Sequence, residues 1–403
     1  VPEFDPFAGV RYDAGAARAE LGALAAPPYD VIDDDLHAAL EAADARNSVR
    51  LILPRDQFAA DDRYERAAAT FSQWCGEGVL VRDPAPRFYS YRMTFVDVHG
   101  RARHTHGVLG SLRLPEAGDD TVLPHERTLP KAKSDRLSLL RAMRVNVDPI
   151  WGLSLAGGLT SLLTDATPLG TCRDHDGVVH ELGAIDDSQQ IEAIRALVGP
   201  APLVLADGHH RFETAVNYRN ELRNAGGDVG GDVGGADAIM TFVVELVDDE
   251  LCIEPIHRLI DLPAGVDLRA RLADAFDIRD AGPIANEGVE ALEDAMRRER
   301  ALGLVDAHGL ALAIPRQRDT DVDAGVVEDE IVPRLPEATW QYRHDAQAVA
   351  ALVDKGAASA AVLCSPVSVA QTRAVATARE RMPQKTTFFW PKPRTGMVFR
   401  TLD

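Results

Sequence analysis

The chain has 403 residues, 46% of them hydrophobic and 26% charged, a composition of ordinary globular type that excludes pervasive disorder. Its 43 Lys and Arg against 63 Asp and Glu leave a formal charge of −20, which disfavours broad contact with nucleic-acid backbones or anionic membranes; a small anionic ligand would need a local basic pocket. A chain of this length is expected to divide into two or three domains.

In chain order, the rigid loop Pro27-Pro-Tyr-Asp30 precedes a helical pattern from Asp33 to about Asp44. The apolar run Val49 to Leu53 reads as a strand. A second helix is expected over about Asp61 to Gly76, and Phe88 to Val96 and Gly107 to Leu114 alternate like antiparallel strands joined through His99-Gly100. A helix from about Lys131 to Met143 carries Lys131, Lys133, Arg136, Arg141 and Arg144, the densest basic stretch of the chain. A strand at Pro149 to Leu155, a hairpin region and a helix from about Asp187 to Val198 follow.

The most informative segment comes next, Pro202-Leu-Val-Leu-Ala-Asp-Gly-His-His-Arg-Phe-Glu-Thr-Ala215. Leu203 to Ala206 read as a short buried strand, and Gly208 supplies the backbone freedom of a sharp turn. Helical spacing of Phe212, Ala215, Val216, Arg219 and Leu222 puts a helix start near His209. The N–H groups of such a start attract anions, and His210 and Arg211 in the first turn are placed to hold the same oxygens. Asp207 at the strand end suits a metal ion, possible Mg²⁺, or a hydroxyl proton; as a plain corner, it would be a helix cap. Beyond the helix, Ala225 to Gly235 repeats Gly-Gly-Asp-Val and reads as a surface loop. Strands are expected at Ala238 to Val247 and Leu251 to Ile256, the latter ending in Pro255-Ile-His-Arg258, and a helix-rich region from Leu262 onward.

Together, Pro27-Pro-Tyr-Asp-Val-Ile32, Asn47-Ser-Val-Arg50, His125-Glu-Arg-Thr128, Asp135-Arg-Leu137, Ala206-Asp-Gly-His-His-Arg-Phe-Glu-Thr-Ala215, Pro255-Ile-His-Arg258 and Met382-Pro-Gln-Lys-Thr-Thr-Phe-Phe-Trp-Pro-Lys392 resemble a widespread prokaryotic family of unknown function. The Asp-Gly-His-His-Arg run with His125-Glu126 upstream is similar to the ParB/sulfiredoxin superfamily, nearest its free-serine-kinase branch. That resemblance implies nucleotide phosphates bound at the turn and helix start, Glu126 as the base on a substrate hydroxyl and Asp207 as its partner. It implies phosphoryl transfer with a nucleotide di- or triphosphate and Mg²⁺, on free serine or in reverse on phosphoserine. The alternative it leaves is a nucleotide-binding switch without metabolic catalysis, although no DNA-reading helix-turn-helix is found.

The expected fold is α+β, with an N-terminal α+β region at 1–114, a ParB/sulfiredoxin-like phosphate-binding domain at 115–260 and a C-terminal α/β region at 261–403. The expected site comprises Glu126, Asp207, His209 and His210 for catalysis, Gly208, Arg211, Arg136 and Lys131 for phosphate, and Tyr29, Asp30, His257, Arg258 and Lys385 around the substrate. Lys385, Thr386, Thr387 and Lys392 share a Pro-bounded aromatic segment that either docks onto the site or is core. His104-Thr-His106 lacks a third zinc ligand and reads as solvent-facing strand. Cys75, Cys172, Cys252 and Cys364 stand singly, without CxxC spacing, and are expected to be reduced and buried. No run of about 18 apolar residues and no leader pattern occur, so the expectation is a cytoplasmic protein.

Overall fold

In the computed structural model, which describes residues 2–55, 62–98, 100–116, 118–124, 133–226 and 232–403, the alternating segments Phe88 to Val96 and Gly107 to Leu114 lie in antiparallel strands as expected, apart from Leu114, which follows the second strand. Phe4–Asp5 (β1), Phe88–Val96 (β2), Ala102–Arg113 (β3), Val122–Pro124 (β4), Ile150–Ser154 (β5), Thr167–Arg173 (β6), Val179–Ile185 (β7), Leu203–Asp207 (β8) and Ala238–Glu245 (β9) make one mixed sheet. Its order is β4-β8-β5-β9-β3-β2-β7-β6, with β1 also on β3. Two pairings are parallel, β4 with β8 and β5 with β9, and the others antiparallel. Gly110 of β3 is needed for packing: a Cβ there would collide with the Phe4 ring, which stacks on Phe88 at 5.1 Å.

The central strands β5 and β8 are apolar without alternation because both their faces are covered. Leu203 and Leu205 join one core with Ile194 and Val198 of the helix Ser188–Val198 and with Phe212 and Ala215 of the helix His209–Ala225 (α1). A second core gathers Leu51, Ile52, Phe71, Trp74, Leu139 and Met143 around Phe399. Phe399 lies in the final segment, whose Phe399–Val10 backbone bonds of 2.9 and 2.8 Å and Thr395–Ala26 bonds of 2.8 and 3.0 Å tie it to the N-terminal region.

The chain divides into two compact units. The described residues of the first lie within 1–124, 133–252 and 391–403, and those of the second within 253–390. The expected boundary at 114/115 does not separate units, since β3 pairs along seven residues with β9 in one sheet. The boundary expected at 260/261 falls instead at 252/253, and the last 13 residues (391–403) return to the first unit.

In the second unit, Phe276–Gly282, Gly309–Pro315, Leu302–Asp306, Ala360–Leu363, His257–Asp261 and Thr339–Arg343 form a six-stranded antiparallel sheet in that order. The region expected to be helix-rich is therefore built on a sheet. Period-two alternation explains it: Leu259, Val305, Leu310, Leu312 and Ala361 pack with Val289, Leu292 and Met296 of the helix Asn286–Glu299 (α2) and Val349 of the helix Ala346–Asp354, while Ile260, Leu304, Ala311, Ala313 and Val362 form the core of the opposite face. Short strands between helices of similar apolar content are hard to separate from helix by periodicity.

Two further expectations change. Val49–Ile52 is a helical turn, not a strand. The buried Asn47 side chain explains it, donating to Ala23 and Ala25 carbonyls at 2.7 and 3.3 Å and accepting from the Val49 N–H at 2.9 Å, which starts a turn rather than a ladder. Of the cysteines, all without disulfide bonds, Cys364 alone is buried; Cys75 is exposed on the outer side of the helix Arg63–Gly76 and Cys172 and Cys252 are intermediate. No described helix is long and apolar enough to cross a membrane.

Candidate anion-binding site

The site is built where β8 ends. Leu203, Val204 and Leu205 are fully buried, and Asp207 is the first residue of the strand with solvent access. Gly208 turns the chain with φ of 84° and caps α1, a helix of 17 residues, without any side-chain hydrogen bond. Only the left-handed region lets strand and helix meet at so sharp an angle, and a Cβ on Gly208 would sit 2.9 Å from Ile150 Cγ2 and 3.1 Å from Arg211 Nε. The first N–H groups of a helix have no acceptor within it, so the turn presents a partial positive charge together with oriented donors.

Helical i,i+4 spacing brings Arg211 back over Asp207, to which its Nη2 donates at 2.7 Å. The same guanidinium donates through Nη1 to Asp148 and to the Pro149 carbonyl. Lys392, from the final segment, donates to the other oxygen of Asp207. Two carboxylates and two cations thus close one largely buried cluster, with Asp148 only 7% exposed and Lys392 9%. Burial alone would raise the Asp207 carboxyl, but Lys392 and Arg211 outweigh it and hold the group well below the usual carboxylate range. Asp148 goes the other way: burial pushes it up more than Arg211 and Arg136 pull it down. Burial would also lower Arg211, yet Asp148, Asp207 and Asp30 together keep it above its ordinary value.

The Pro-Pro loop borders the same cluster. Tyr29, in the 3-10 turn Tyr29–Val31, acts on Arg211 electrostatically, and burial pushes its phenol to about 12, so at neutral pH it is a hydroxyl donor rather than a phenolate. Arg136 lies over the Tyr29 ring at 4.3 Å, donates to the Ile52 carbonyl at 2.6 Å and pairs with Asp135 at 2.8 Å. Asp135 in turn accepts from the Tyr64 hydroxyl at 2.6 Å and from Arg63 at 3.0 Å. These partners explain why Arg136, 6% exposed, serves packing here rather than presenting a cation to solvent.

Several expected site residues have surroundings other than those expected. Arg211, expected to clamp phosphate, is held by Asp207 and Asp148 because a buried guanidinium needs neutralising partners. Glu126 and Lys131 lie outside the described residues. His257, Arg258 and Lys385 belong to the second unit. His257 is fully buried, its Nδ1 accepting from the Cys364 N–H at 3.2 Å, and burial lowers it to about 3. Arg258 is 3% exposed and stands 5.5 Å from the Tyr342 ring centre, while Lys385 is exposed with φ of 55°. His106 is only partly exposed: its Nε2 is 2.8 Å from Ser90 Oγ, and burial lowers it to about 4. Sequence reasoning missed Asp148 and passed over Lys392 in favour of Lys385. A lone aspartate before Pro149 carries no signal, and the flanking Pro391 and Pro393 of Lys392 mark only a stiff segment.

The donor set does not fit Mg²⁺ on Asp207. Both carboxylate oxygens already accept from cations, and among the described residues no three His, Cys, Asp or Glu side chains gather as a metal site.

A family model described as a protein of unknown function (DUF1015) matches residues 4–338. The chain belongs to this family. No curated protein matches it. Among solved structures it is similar to a conserved hypothetical protein from Pyrococcus furiosus, at 13% identity and a TM-score of 0.39 over 72% of this chain and 93% of that one. It is also similar to a free serine kinase in complex with ADP, at 14% identity and a TM-score of 0.43 over 73% and 92% of the two chains. A third is SbnI with C-terminal truncation from Staphylococcus aureus, at 11% identity and a TM-score of 0.36 over 72% and 86%.

Proposed function

We propose that the turn from Asp207 into α1 binds a nucleotide phosphate, and that the protein moves a phosphoryl group between the nucleotide and a small hydroxylated metabolite, free serine or phosphoserine. The observation that carries this reading is the Gly208 step, where a left-handed glycine, which brings no side chain to the cap position, joins a buried strand to a 17-residue helix. Such a helix start favours an anion by both its dipole and its donors. His209 and His210 occupy the first turn of α1, and Lys392 stands beside Asp207.

Phosphoryl transfer asks a protein mainly to place phosphate oxygens and neutralise their charge. Asp207 is ionised at neutral pH and holds Lys392 and Arg211 in position; an arriving phosphate competes with it for Lys392. A bond from phosphorus to the donor's bridging oxygen breaks as one to the serine hydroxyl oxygen forms, and the hydroxyl proton needs a base. The resemblance of the sequence to free serine kinases supports Glu126 in that role and serine as the acceptor. Mg²⁺ enters this scheme only as a companion of the nucleotide substrate.

The test is incubation of the full chain with ATP or ADP, Mg²⁺ and serine, and separately with phosphoserine, followed by mass spectrometry. Phosphoserine formed from serine, or serine together with a nucleotide longer by one phosphate formed from phosphoserine, is the expected result. Nucleotide bound without either product would favour the switch, and neither binding nor product would end both readings.

A further inference from the structure

The second unit contains a cleft of about 430 Å³, within the size range of small-molecule pockets and unrelated to the Gly208 turn in its residues. Three of its lining residues are Arg297, Arg300 and Arg318, against two carboxylates, Asp321 and Asp323. In a chain with a net charge of −20, three guanidinium groups from two separate segments converging on one cleft need an explanation.

The floor is rigid. Arg318 donates to the carbonyls of Arg300, Thr320 and Asp321 at 2.7, 2.9 and 3.2 Å and to Asp323 at 2.6 Å. The second oxygen of Asp323 accepts from the Ser365 N–H at 2.7 Å, so this buried pair ties two walls together. Gln371 donates to the Asp321 carbonyl at 2.8 Å and completes a capping box with Ser368. The chain next to the wall is irregular, with a π-helical turn at Val327–Ile331, a form frequent at functional sites.

The mouth is different. Arg300 ends α2 in the left-handed region with φ of 54°, and its side chain is 64% exposed where it pairs with Asp321, itself 76% exposed. Arg297 is 46% exposed and pairs with Asp294, 70% exposed. Pairs so open to water contribute about 0–1 kcal/mol and are easily exchanged for another anion. Met296 and Val367 give the cleft an apolar side.

We infer that this cleft binds a small organic anion, a carboxylate or phosphate ester with a short apolar body, whose charged group replaces Asp294 and Asp321 on Arg297 and Arg300. Planar guanidinium forks suit both anions, and the fixed Arg318–Asp323 pair keeps the walls apart without taking part in the exchange.

Methionine methyl NMR on the full chain tests this. The chain has six methionines, and Met296 is the one lining the cleft. Its signal is assigned with Met296→Leu and followed during titration with succinate in one arm and glycerol phosphate in another. A saturable shift of the Met296 signal is expected in at least one arm, and the arm identifies the anion. In the double variant Arg297→Glu/Arg300→Glu the apparent affinity should fall at least tenfold while the other methionine signals stay in place, which reports an intact fold. A Met296 signal unmoved by either anion up to about 10 mM, ten times the Kd of a −4.1 kcal/mol interaction, overturns the inference. So does a shift that survives the double variant. Nucleotide binding at Gly208 is expected to be unchanged in that variant, so the two readings fail separately.

Discussion

Lys392 and Arg211 hold the Asp207 carboxylate from two sides, and the sign of its shift determines how acid acts on the cluster. A carboxyl depressed in the folded state stabilises above its unfolded pKa, about 3.9, and loses that contribution as pH falls through the folded value. Asp207 is therefore expected to leave stability flat around neutrality and to contribute to unfolding only in strong acid. Lys392→Ala leaves a largely buried ion cluster short of one cation, a change that typically costs about 3–5 kcal/mol. Urea unfolding should show it, and an unchanged midpoint would mean that the pair is a surface contact without weight. His257 has the opposite kind of shift. Its folded pKa, about 3, lies below the unfolded value of about 6.5, so the unfolded chain binds the extra proton and stability falls as pH drops from about 6.5 towards 3. The slope approaches about 1.4 kcal/mol per pH unit for one proton. His257→Gln removes that slope, so the stability difference between wild type and variant should shift in the variant's favour as pH is lowered; parallel curves would refute the assignment.

At the scale of elements, the strand-turn-helix from Leu203 to Ala225 was readable because each part carries its own signal: a short apolar run, a glycine and a helical apolar spacing. Gly208→Ala should cost at least about 1–2 kcal/mol for the left-handed backbone alone, with the close approach to Ile150 adding to it. The same variant should lose phosphate affinity, measured by calorimetry, because relief of the strain would turn the helix start; full affinity in a folded variant would remove the turn from the site. Phe88–Val96 was equally legible, its alternation matching a strand with those bounds. Val49–Ile52 was not, since Leu51 and Ile52 are buried on a short turn and an apolar run of that length has no period to read.

For the whole molecule, the return of residues 391–403 to the first unit is the feature with the largest consequence. This segment supplies Lys392 to Asp207, the Arg394 N–H to the Tyr91 hydroxyl at 3.0 Å, and Phe399 to a core where it meets Phe71 at 5.7 Å and Tyr12 at 6.0 Å. Arg400 adds bonds of 3.0 Å to Asn146 and to the Ala238 carbonyl. A chain ending at Trp390 should therefore lose the calorimetric transition of the first unit and keep that of the second. Retention of both transitions would show that the segment is dispensable.

The order of residues by itself determined the α+β class, the strand-turn-helix at Asp207 and the helix spans from Arg63 and Ser188. These follow from local spacing, glycine freedom and helix ends, all of which act over a few residues. Tertiary structure alone decided that Asp148 and Lys392 meet at Arg211 and Asp207, that Arg136 stacks on Tyr29, and that the helices of the region from Leu262 onward pack on an antiparallel sheet. Asp207 and Lys392 are 185 positions apart, and no periodicity spans that distance. What joins them is the requirement that charges taken out of water find partners, which can be met only once the chain has folded.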